Sequence, residues 1–162
     1  MARRARAYWL FKSEPDVYSI DDLARDRRTM WDGVRNYQAR NLMRDSMAVG
    51  DLGFFYHSNA SPPGVAGIVR VCSAPYADPS QFDPASDYHD PTSRVDEPRW
   101  MLVDVEHVET FDAPVTLDTL KARAAELEGL MVIARGSRLS VQPVERAHFV
   151  KIAKWAGART KV

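Results

Sequence analysis

Apolar residues arrive in short runs divided by proline, glycine and acidic breaks, and their spacing predicts about five strands and four short helices. Residues 7–12 (AYWLFK) read as a buried strand, stopped by Ser13, Glu14 and Pro15; the proline biases Glu14 to extended geometry. Residues 19–26 (SIDDLARD) predict a short helix with Ser19 as N-cap and Asp21 and Asp22 in its positive first turn. A second helix starts at Asn36, with Ala39, Leu42, Met43 and Met47 on one face and Gly50 as its stop. LGFFYH and GVAGIVRV predict two strands, the second with Gly64 and Gly67 marking a bulge or a close approach. Residues 99–111 (RWMLVDVEHVETF) alternate as one strand. TLDTLKARAAELEG predicts an amphipathic helix capped by Thr116, and SRLSVQPV a last strand. VERAHFVKIAKWAG predicts a C-terminal helix with Ala147, Val150, Ile152 or Ala153 turned inward and Gly157 past its end. Residues 73–99 are rich in Pro, Asp and Ser and predict a long loop. These elements make an α+β domain: a small, strongly bent sheet or barrel with helices on its rim.

The chain of 162 residues is long enough for one domain with a real core. Its net charge is zero with His neutral, which argues against coating long nucleic acid by bulk attraction but leaves room for capture of one nucleotide. A single cysteine, Cys72, excludes an intramolecular disulfide and a cysteine-rich zinc site, and fits a cytoplasmic location. No window approaches the roughly 18 apolar residues of a membrane span. Arg3, Arg4 and Arg6 form a basic arm, read as a solvated terminus in preference to a phosphate contact.

Catalytic patterns are missing from the sequence. There is no nucleophile elbow, no phosphate-binding P-loop and no paired histidines of metal-site spacing. The stretch DYHD, 87–90, reads as a turn whose carboxylates cap backbone N–H groups, not as a metal site.

The stretch WDGVRNYQARN, 31–41, points to binding. Asn36 at a helix start accepts backbone N–H groups, and Arg35 adds a charge beside that positive turn, suited to a phosphate or a polarised carbonyl. Trp31 and Tyr37 supply flat faces for a base, and the Asn36 and Gln38 amides suit a base edge. For any one of these residues a structural role is the better reading: core aromatics, and Arg35 paired with a carboxylate. For the cluster, binding is the better one. Lys12, Ser13 and Glu14 end one strand and Tyr56, His57 and Ser58 another, at what would be one rim of a small barrel. Arg138 and Ser140 share one side of the last predicted strand, Arg138 reaching either a phosphate or a surface carboxylate.

The segments YWLFKSEPDVYSIDDL, WDGVRNYQARNLMRDSMAVGD, FFYHSNASPPGVAGIVRV, PRWMLVDVEHV and SRLSVQPV, in this order and spacing, resemble the EVE domain family over residues 8 to about 152. The resemblance implies a PUA-like fold, a small mixed β-barrel of about five to six strands with short helices around it, akin to YTH and ASCH domains. It also implies a pocket for a flipped, modified base such as a modified cytosine in DNA. Carried over, the pocket draws on Lys12, Ser13, Glu14, Trp31, Val34, Arg35, Asn36, Tyr37, Gln38, Tyr56, His57, Ser58, Arg138 and Ser140. Trp31 and a tyrosine would sandwich the base, the Asn36 and Ser13 region would read its edge, and Arg35, Lys12 and Arg138 would hold phosphates. The family often has two aromatics before an Asp in the long loop, where this chain has Tyr88, His89 and Asp90.

The expectation is a monomeric, non-enzymatic reader of a modified base without cofactor or metal, with DNA favoured over RNA. Its rivals are an RNA or tRNA binder, and a small enzyme acting on a nucleobase with Glu14 or His57 as general base.

Overall fold

The computed structural model describes residues 5–162, so Arg3 and Arg4 of the basic arm lie outside the described residues, while Arg6 is exposed. Eight strands and four α-helices follow in the order β1 (Tyr8–Ser13), α1 (Ile20–Asp26), β2 (Arg28–Met30), α2 (Tyr37–Asn41), β3 (Leu52–His57), β4 (Gly64–Val71), β5 (Tyr76–Ala77), β6 (Met101–Leu102), β7 (Asp104–Thr116), α3 (Leu117–Ala122), β8 (Val141–Val144) and α4 (Arg146–Trp155). Six strands form one mixed sheet in the order β2-β7-β4-β3-β1-β8, curled into a half-barrel, and β5 pairs with β6 alone. Only β1 and β3 run parallel; the other pairs are antiparallel.

The central strands β1, β3 and β4 are buried on both faces, which is why β1 and β3 read as unbroken apolar runs. Alternation sends Tyr8, Leu10, Leu52, Phe54 and Tyr56 to one core, with Phe111, Leu120 and Phe149. Trp9, Phe11 and Phe55 go to the other, with Ile20, Leu23, Trp31 and Val141. Phe149 of α4 stacks on Phe54 with ring centroids 3.8 Å apart, fixing that helix on the first core.

Local signals are obeyed closely. Ser19 caps α1 in a full capping box with Asp22, Asn36 caps α2 by accepting the Ala39 N–H, and Thr116 caps α3 by accepting the Thr119 N–H. Gly67 lies where β4 and β7 shift register, and a side chain there would strike the Glu109 carbonyl.

Several boundaries differ from the expectation. The helix after Asn36 passes into a π-helical turn, Leu42–Ser46. The strand expected over 99–111 is two, because the chain changes partner at Val103: Leu102 pairs with Tyr76, whereas Asp104 pairs with Met30. The last strand starts at Val141, so Arg138 and Ser140 precede it. The inner face of α4 is His148, Phe149, Ile152 and Ala153, while Ala147 is exposed and Val150 half-buried, since stacking of Phe149 on Phe54 sets the rotation. Strand β2 has too short and too polar a run to be seen before its pairing with β7 is known.

Candidate functional site

One rim of the half-barrel carries a cavity of about 550 Å³, within the range of small-molecule sites. Its wall comes from separate segments: the end of β1, the turn before α1, β2 with the residues after it, the long loop, and the residue before β8. Backbone bonds hold these together. The Lys12 N–H donates to the Ser140 carbonyl at 2.8 Å, and the Trp31 N–H donates to the Val103 carbonyl at 2.9 Å.

Of the residues singled out above, Lys12, Ser13, Glu14, Trp31, Val34, Arg35 and Ser140 line this cavity. Trp31 is 8% exposed and meets Phe11 and Phe55 edge-on, at 5.2 and 5.6 Å between centroids, so it is at once a core residue and part of the wall. Lys12 is half-buried, and burial pushes its ammonium below the ordinary lysine range. Ser13 Oγ donates to the Tyr18 carbonyl, and Glu14 accepts from the Asn59 amide at 2.6 Å.

Arg35 is a structural clamp, which corrects its assignment to a phosphate. Its Nε–H donates to the Tyr88 carbonyl, Nη1 to the Val34 carbonyl and to Asp78 Oδ2 at 3.0 Å, and Nη2 to Ser80 Oγ and again to the Tyr88 carbonyl. All five N–H donors of the guanidinium are therefore engaged. Asp78 is buried; burial pushes its carboxyl up, but hydrogen bonds from Ser80, Gly33 and Arg35 outweigh this and hold it below the usual range. The clamp fastens the long loop so that Tyr88 lies over Gly33. Any side chain at Gly33, whose φ is +79°, would meet the Tyr88 ring at 2.6 Å.

The other candidates lie elsewhere. Asn36 Oδ1 accepts the Ala39 N–H as the cap of α2, and both Asn36 and Gln38 are exposed and outside the wall. Tyr37 stacks on Trp100 at 4.8 Å with the Arg40 guanidinium 4.7 Å over its ring, and it is not part of the cavity wall. Tyr56 belongs to the core on the other face of the sheet from Trp31, because odd and even positions of β3 point opposite ways. His57 Nε2 accepts the Ile20 N–H at the start of α1, a structural tie, and burial lowers its imidazole against the opposing pull of Asp21. The Ser58 N–H donates to the Ser13 carbonyl. Arg138 is exposed beside Ser140 but outside the wall. Asp90 of DYHD caps Thr92 and accepts from Trp100 Nε1; these bonds hold it at about 2.

The wall also holds Val17, Tyr18, Thr29, Met30, Asp32, Gly33 and Tyr88, none of which was singled out for the pocket. Asp32 and Gly33 stand inside the WDGVRNYQARN stretch. Tyr88 stands where the family's loop aromatics were expected, and that was its one sequence signal. No helix among the described residues is long and apolar enough to cross a membrane.

The family model described as the EVE domain matches residues 7–155. Thymocyte nuclear protein 1 of Homo sapiens is 38% identical over 161 residues, covering 88% of this chain and 71% of its own length. The crystal structure of a Pseudomonas putida protein is 50% identical, with a TM-score of 0.89 over 93% of this chain and 99% of that one. The crystal structure of human THYN1 protein in complex with 5-methylcytosine containing DNA is 35% identical, with a TM-score of 0.87 over 96% of this chain and 99% of that one.

Proposed function

The chain belongs to the EVE domain family, and from that premise we propose that it captures a modified cytosine of DNA in the rim cavity and performs no chemistry on it. The observation that carries this reading is the human relative of the same fold solved with 5-methylcytosine containing DNA. The cavity supports it physically. Trp31 forms an apolar floor and Tyr88, 41% exposed and held from behind by the Arg35 clamp, forms the outer ring. A flipped base costs a few kcal/mol to unstack. Stacking returns about 1–3 kcal/mol per base, and polar contacts to the base edge offset the rest. A methyl group in an apolar slot adds only about 0.8 kcal/mol, so discrimination by the methyl alone is modest. With Arg35 committed, Arg138 beside the wall is left for a phosphate, while Lys12 lines the cavity where the base would sit.

The test is binding of wild type and Tyr88→Ala to single- and double-stranded DNA, and to matched RNA, bearing cytosine, 5-methylcytosine or 5-hydroxymethylcytosine at one fixed salt concentration. A modified DNA should bind best, and Tyr88→Ala should weaken it about tenfold with melting still cooperative, since the hydrogen bonds of the clamp run to the backbone carbonyl of Tyr88 and only the contact of the Arg35 guanidinium with its ring, 5.7 Å to the centroid, is lost from it. Equal binding of all bases, or tighter binding of RNA, would refute the reading.

A further inference from the structure

The polar groups of the cavity wall divide into those with a partner inside the protein and those without. Ser13 donates to the Tyr18 carbonyl, the Tyr18 hydroxyl to Asp26, and Thr29 to the Met30 carbonyl; Glu14 accepts from Asn59, and Arg35 is fully engaged. Among the described residues, the Lys12 ammonium, the Asp32 carboxylate and the Ser140 hydroxyl have no hydrogen bond to another side chain. Asp32 is engaged only by its own backbone N–H.

Lys12 and Asp32 carry opposite charges on one wall, yet they do not pair. Burial alone lowers Lys12, with no carboxylate pulling the other way. Asp32 is exposed at the cavity mouth, but the protein behind it strips part of its hydration. That desolvation and the charge of Asp78 push its carboxyl up, against smaller opposing pulls from its own backbone N–H and then from Arg35. The cavity thus offers an acceptor that only its own backbone engages and a bare donor along its wall, both partly desolvated. A ligand that donates to the first and accepts from the second satisfies both.

We propose that Asp32 selects bases carrying an exocyclic amino group, its carboxylate accepting that N–H while Lys12 donates to an acceptor on the ring. This rests on the base-capture reading above and names what the same cavity distinguishes. Cytosine presents an amino donor beside ring and carbonyl acceptors. Thymine presents a carbonyl oxygen in the amino position, which would face the carboxylate unpaired. 5-Methylcytosine and thymine share the same methyl group, so comparing them isolates the amino group from the methyl.

The experiment measures affinity for single-stranded DNAs identical except for a central 5-methylcytosine, thymine or adenine, with wild type and Asp32→Asn. Wild type should prefer 5-methylcytosine to thymine by about tenfold or more. Asp32→Asn should bring the two within about threefold, because a carboxamide can turn its N–H to the thymine oxygen. The substitution is isosteric, and cooperative melting confirms the fold. Adenine carries the same amino group, so whatever adenine affinity the wild type shows should fall in Asp32→Asn; a rise would overturn the proposal. Lys12→Met should weaken 5-methylcytosine binding and keep the preference over thymine. If Asp32→Asn melts cooperatively and keeps the full preference, the inference fails and base capture stands. If wild type binds no modified DNA better than unmodified DNA, both fail.

Discussion

Replacing Arg35 by methionine separates two roles that predict opposite outcomes. As a clamp, its guanidinium joins Asp78, Ser80, Val34 and Tyr88 through five hydrogen bonds. The Asp78 side chain is 1% exposed and that of Arg35 22%, so the pair is mostly out of water. Removing one partner of such a pair costs about 3–5 kcal/mol, because the remaining charge stays buried. Asp78 keeps donors at the Gly33 N–H (2.9 Å), the Ser80 N–H (2.8 Å) and the Ser80 hydroxyl, which places the loss near the low end, about 3 kcal/mol. At about 2–4 °C per kcal/mol for a chain of this size, Tm should fall by roughly 10 °C.

Urea denaturation of wild type, Arg35→Met and Arg35→Lys measures this. Lysine keeps the charge but has three donors on a flexible stem, so it should recover less than half of the loss. The acid limb should move as well. In wild type the depressed carboxyl of Asp78 contributes stability above the usual carboxylate range, lost as pH falls through its folded value; without Arg35 that loss should begin at higher pH. A phosphate-binding Arg35 predicts the reverse pattern: stability within about 0.5 kcal/mol of wild type, and a binding salt slope smaller by about one. That result would refute the clamp.

Two further outcomes follow from buried polar groups. Asp51, 1% exposed, accepts from the Ala7 N–H, the Ala48 N–H and Trp9 Nε1; Asp51→Ala should cost about 3 kcal/mol by denaturation, and a loss below about 1 kcal/mol would show that water replaces the carboxylate. His57 is held below the ordinary histidine range mainly by burial, and its Nε2 must be unprotonated to accept from Ile20, so stability should drop as pH falls below about 6.5; His57→Gln should flatten that slope, leaving the part due to His107, which burial lowers in the same direction. An unchanged slope in His57→Gln would place the acid sensitivity elsewhere.

What the sequence discloses depends on how far away a residue's partners lie. Caps need a partner three residues on, so Ser19, Asn36 and Thr116 were legible as helix starts. Strand runs were legible as runs, yet their facing was not. A strand buried on both sides has apolar residues at every position, so period two carries no label for the face, and Tyr56, grouped with His57 and Ser58 at one strand end, turns to the core away from Trp31. Arg35 meets Asp78, 43 residues away, and the Tyr88 carbonyl, 53 residues away, across a loop whose path no local rule gives. The same holds for Tyr37, which stacks on Trp100, 63 residues away in sequence. The crowding of WDGVRNYQARN therefore has two causes. Arg35, Asn36 and Tyr37 fasten the loop, cap the helix and stack on Trp100, and in doing so they hold Tyr88 over Gly33 beside Trp31 and Asp32. The residues with the richest hydrogen-bonding chemistry in that stretch are spent on making the wall. Those left for a ligand are the ones whose polar atoms the fold does not use.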